Sequence, residues 1–180
     1  IDASTLLGRE NTESRALQLL QREVRVLERL VGRLREGDPR GADYLLRLAE
    51  TYFELQQVYN SRVRQMDQPI YEAEEAENEA QLRRLRQQQQ SHQQNLDRFR
   101  QEAIRTYARL VRDFPEYRRM DEVLFSLAFG LEEMRRFDEA RRVYHRLIKG
   151  HPQSRFVPHA YLSFAEYYFS EGDMRVAQRF

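Results

Sequence analysis

The chain has 180 residues, 41% of them apolar and including ten Tyr and ten Phe, enough to build the core of one domain or a short array of repeats and to exclude disorder throughout. Thirty basic residues against 29 acidic leave a formal charge of +1, so no excess field draws in nucleic acid or an anionic membrane. There is no cysteine, which excludes disulfides, a thiolate nucleophile and any Cys-bearing zinc site, and no apolar run approaches the roughly 18 residues of a membrane span.

Glycine and proline are scarce, and Leu, Arg, Glu, Gln and Ala dominate. These straight-chain residues lose little rotamer freedom in a helix, so the expectation is an all-α chain without a sheet. A chain that starts at Ile1 and stops at Phe180 in an apparent mid-helix reads as a fragment.

Residues 1–12 are expected to be a flexible N-terminal segment and 13–36 a capping helix. In the latter, Leu17, Leu20, Val24, Leu27, Val31 and Leu34 alternate by threes and fours, one apolar stripe that Gly37, Asp38 and Pro39 terminate. Packing of that stripe on the next helix is the plain expectation; a coiled-coil oligomer built on the same heptads is the alternative. The next helix begins near Gly41, carries Leu45, Leu48, Ala49 and Tyr52, and continues to about Met66. Asp67, Gln68 and Pro69 then read as a new start, with Glu72, Glu74, Glu75, Glu77 and Glu79 in the turns where the helix dipole favours negative charge. From Ile70 to Phe114 there is neither Gly nor Pro, so nothing local stops a helix, and the glutamines from Gln87 to Gln94 stay in helical phase.

The C-terminal half repeats. EAIRTYARLVRDFPE from Glu102 returns as EARRVYHRLIKGHPQ from Glu139, with Ala103, Tyr107, Leu110 and Pro115 matching Ala140, Tyr144, Leu147 and Pro152. On the intervening helices Leu124, Leu127, Ala128 and Leu131 become Tyr161, Phe164, Ala165 and Tyr168, and Ala177 repeats Ala140. The pattern resembles the tetratricopeptide repeat (TPR), in which small residues let paired helices approach and larger ones fill the gap between neighbours. The long turns PEYRRMDEV and PQSRFVPHA are similar to those of bacterial cell-envelope members, the outer-membrane assembly lipoproteins and Tol-Pal-associated coordinator proteins.

On this pattern Leu45, Leu48, Ala49 and Tyr52 form the first half of a repeat whose second half is Ala103, Tyr107, Leu110 and Pro115. The first repeat, 41–115, is thus split by a helical, coiled-coil-like arm at about 61–102; the second covers 116–152 and the third, truncated, 153–180. If the arm is a hairpin, each side protrudes roughly 31 Å at about 1.5 Å per residue. Its mirror point near residue 76 pairs Tyr52 with Phe99, Leu55 with Leu96, Tyr59 with His92 and Met66 with Leu85. One continuous rod from Ile70 to Asp113 is the other reading.

No catalytic signature and no cofactor motif emerge. His92, His145, His151 and His159 lack the spacing of a zinc helix, and there is neither a phosphate loop nor a nucleophile elbow. The resemblance implies a non-catalytic scaffold, a helical-hairpin solenoid with protein partners. Its ligand-facing positions map onto Asp43, Leu46, Glu50, Phe53 and Glu54, then Glu122, Phe125, Phe129, Glu132 and Glu133, then His159, Leu162, Glu166 and Phe169. Carboxylates beside exposed Phe suit a basic segment with apolar anchors. The clamp by which some members hold a C-terminal carboxylate uses Lys and Asn, which are absent at these positions. Self-association through the helix stripe or the arm, and a periplasmic or outer-membrane-associated location in a biogenesis, Tol-Pal, motility or secretion assembly, complete the expectations.

Overall fold

The computed structural model describes residues 3–35 and 37–179, with side chains from residue 14 onward. Eight helices and no strand occur among the described residues: α1 (Ala3–Gly32), α2 (Gly41–Gln65), α3 (Asp67–Glu75), α4 (Glu79–Asp113), α5 (Met120–Glu133), α6 (Phe137–Gly150), α7 (Val157–Ser170) and α8 (Met174–Ala177). This is an all-α, TPR-like helical repeat fold. Packing divides it into two units, Ile1–Ala103 and Ile104–Phe180.

In the first unit the stripe of α1 is buried at Leu17, Val24, Leu27 and Val31 against α2. These four positions of the stripe are therefore packed within the chain. Helix α1 begins at Ala3, ten residues before the expected 13, because no proline interrupts it; residues 1 and 2, the rest of the expected flexible segment, lie outside the described residues. The connection from α1 to α2 passes through Gly37, whose φ of +77° is left-handed, and Asp38, which accepts hydrogen bonds from the Arg40 backbone and guanidinium. That pairing holds the Asp38 carboxyl down at about 2. On α2, Leu45, Ala49 and Leu55 are fully buried, and the buried Thr51 hydroxyl donates to the Arg47 carbonyl at 2.7 Å.

The arm is a hairpin rather than one rod. Pro69 has no N–H with which to continue the α2 ladder, so α2 stops at Gln65 and α3 restarts it, Ile70 N–H donating to the Met66 carbonyl. The chain reverses at Ala76–Asn78, where Glu77 is left-handed at φ 51°, Asn78 N–H reaches the Ala73 carbonyl and Glu77 N–H the Glu74 carbonyl. Asn78 then caps α4 by accepting from Gln81 N–H. The arms meet ring on ring: Tyr52 lies 6.0 Å from Phe99, Tyr59 5.6 Å from Phe99 and 6.0 Å from His92. Nearer the tip the contacts become polar, Gln89 donating to Asp67 at 3.0 Å and Arg86 pairing with Glu74 at 2.5 Å. The glutamine tract is one uninterrupted part of α4.

In the second unit α5 and α6 form a hairpin with Ala128 and Ala140 both wholly buried, as close helix packing requires, and with Leu124, Tyr144 and Leu147 filling the core. The C-terminal end of α4 approaches α5 at Gly130, where a Cβ would lie 3.3 Å from Ile104 Cγ1. The sequence repeat is matched in backbone detail. Arg135, left-handed at φ 58°, and Gly172, at φ 79°, close α5 and α7 with the same pair of turn hydrogen bonds. The turns before α5 and α7 likewise share theirs: Tyr117 to Phe114 and Met120 to Tyr117, then Ser154 to His151 and Val157 to Ser154.

Candidate functional site

The ligand-facing positions of the second and third repeats lie on α5 and α7, which run side by side. Phe125 stacks on Phe156 at 4.6 Å, with His159 at 5.8 Å and Phe129 at 6.3 Å. One turn further on, Glu132 accepts the Tyr144 hydroxyl at 2.9 Å and the Ser163 hydroxyl, so one carboxylate joins α5, α6 and α7. Burial, together with the Glu132 charge, pushes the Tyr144 hydroxyl far above its usual range, so it stays protonated as the donor.

Between those two contacts stand Phe129 on α5 and Leu162 on α7, 39% and 55% exposed; Phe169, two turns along α7, is 63% exposed. Glu166 borders two recesses. The first, of about 240 Å³, is lined by Glu132, Ser163, Tyr167 and Glu171; the second, of about 430 Å³, by Ala165, Phe169, Met174 and Ala177. Behind the smaller one, the Arg141 guanidinium sits 3.5 Å over the Tyr167 ring. Glu122 is bound to Arg119 at 2.8 Å, and Glu133 is half-buried at the C-terminal end of α5. This face brings exposed apolar side chains and carboxylates together over a floor of packed aromatic rings.

The first-repeat positions do not come together in the same way. Leu46 is 2% exposed and belongs to the core, which corrects its assignment to a ligand-facing surface: its side chain is used up in packing within the chain. Arg47 takes up the surrounding charge, bonding Glu23 of α1 at 2.6 Å and Glu54 at 3.0 Å, with Glu50 at 3.8 Å. Phe53 is half-buried, and Asp43 is exposed at the start of α2. The sequence reading missed Arg47 and Ser163, because each acts through a partner 24 or more residues away.

Residues 122–154 match the family model described as tetratricopeptide repeat. Over α5 and α6 the chain is similar to a tetratricopeptide repeat. The match begins in α5, covers α6 and ends in the turn before α7, so it takes in both helices whose alanines and Leu147 are buried. No curated protein matches the chain. A repeat of this kind suggests a protein–protein interaction scaffold, and no helix among the described residues is long and apolar enough to cross a membrane. The histidines are spread out: His159 stands against Phe125, His145 is exposed on α6, and His151 closes α6. Among the described residues no group of three His, Asp or Glu could hold a metal.

Proposed function

We propose that this TPR chain is a non-catalytic adaptor that takes a basic segment with apolar anchors along the α5–α7 face, in a bacterial envelope assembly. One observation carries the reading: Phe129, Leu162 and Phe169 remain exposed on α5 and α7, and Phe169 lines one recess with Glu166. Aromatic anchors in a partly desolvated setting supply binding energy, and carboxylates beside them select for Arg or Lys. The long turns before α5 and α7 support the envelope setting by their similarity to envelope members of the family.

Selection from a library of random 12-residue peptides tests the ligand class. Enrichment of sequences pairing Arg or Lys with Phe or Leu, lost on Leu162→Ser with Phe169→Ser, is expected. No enrichment, or selected peptides that bind the double variant equally well, would overturn it. Both side chains are exposed, so circular dichroism should show the variant folded. Osmotic-shock fractionation of the full gene product tests the compartment, with recovery in the cytosolic fraction as the refuting result.

A further inference from the structure

The outer face of α1 has no role in the groove. Arg15, Arg22 and Arg29 recur every seven residues on it, and Leu19 and Val26 recur at the same interval four residues further on, so a guanidinium row adjoins an apolar row. All five are exposed, as are Arg25, Leu30 and, just past the helix, Arg33; Leu19 is 63% exposed. The only acidic residues between 14 and 35 are Glu23 and Glu28, which accept from Arg47 and from the Tyr52 hydroxyl of α2. From residue 14 onward the face is therefore basic and partly apolar although the whole chain is nearly neutral.

The compensating charge sits on α3. Its inner side is buried at Ala73 and holds Glu74 against Arg86, while the outer side presents Tyr71, 57% exposed, with Glu72 and Glu75, followed by Glu77 at the turn. We infer that the α1 face of one copy binds the α3 face of a second copy of this chain, Tyr71 seated between arginines and Leu19 or Val26, and the glutamates opposite Arg15, Arg22 and Arg29. Charge complementarity is the argument, and two alternative occupants fit less well. A phosphate backbone has no use for the exposed Leu19, Val26 and Leu30. Among the described side chains of α1, a lipid surface would find only these three exposed apolar residues, a row narrower than the broad apolar face of an interfacial helix. If both copies use both faces, the contact is two-fold and closes as a dimer.

Sedimentation equilibrium of the full chain over a concentration series tests it at about 50 mM and about 1 M salt, which bracket strong and weak screening. Self-association at low salt that weakens at high salt is expected. Arg22→Glu with Arg29→Glu, and separately Glu72→Arg with Glu75→Arg, should each raise the dissociation constant at least about tenfold, and an equimolar mixture of the two variants should recover association. A wild-type chain that stays monomeric at low salt, or a mixture no better than either variant alone, overturns the inference. So does loss of binding to phosphatidylglycerol vesicles or single-stranded RNA in the α1 variant, if the wild type does not self-associate.

Discussion

At Glu132 two hydroxyls converge on one half-buried carboxylate, and the consequences of removing each partner differ. Tyr144→Phe deletes one hydrogen bond and leaves Glu132 with Ser163, at a cost of about 1 kcal/mol. Glu132→Ala leaves the buried Tyr144 hydroxyl without its acceptor and should cost about 1–3 kcal/mol. Urea denaturation of the two variants and the double mutant checks this: once Tyr144 is Phe, Glu132→Ala should cost distinctly less. The same residue shows the limit of the sequence at this scale. Glu132 sits at a ligand-facing helix position, which the sequence gives; that its carboxylate is turned to Ser163, 31 residues away, depends on how α7 packs. Leu46 is the converse case, legible as apolar but not as buried.

At the scale of elements, the hairpin pairing followed from mirror symmetry alone: Tyr52 does meet Phe99, Tyr59 meets His92, and the reversal falls at Ala76–Asn78. What periodicity could not give is the break at Met66, which comes from a missing proline N–H rather than from any side-chain pattern. His92 makes the arm sensitive to pH. Burial, and then the Arg62 charge, hold its imidazole below the usual 6.5, so the folded arm takes up a proton less readily than the unfolded chain. Stability is complete above the unfolded value, falls as pH drops from there to the folded value, and is flat below it. The urea midpoint should thus decline between pH 7.5 and 5 by more in the wild type than in His92→Gln; equal slopes would refute the role. The two left-handed non-glycine residues make a second prediction. Gly172 occupies after α7 the position that Arg135 holds after α5, so Arg135→Gly, and likewise Glu77→Gly, should stabilise by about 0.5–1 kcal/mol in the same assay.

Across the whole chain, burial is concentrated in paired helices, α1 with α2 and α5 with α6, while α8 has four residues and none buried. Stability in such repeat architectures is local, so amide exchange should be graded by helix rather than uniform. The slowest amides are expected from Leu45 to Leu55 of α2 and in the buried segments of α5 and α6; those of α8 should exchange fastest among the described helices. Leu147 is fully buried, and Leu147→Ala should cost about 2–5 kcal/mol through the cavity it leaves. Because Ala128 and Ala140 are both buried where α5 and α6 pair, the two helices can open only together. Hydrogen–deuterium exchange read by mass spectrometry should therefore show the Leu147→Ala acceleration in α5 and α6 alike. Acceleration confined to α6 would mean that the helix, not the two-helix repeat, is the cooperative unit, and the close packing inferred from the alanines would have to be abandoned.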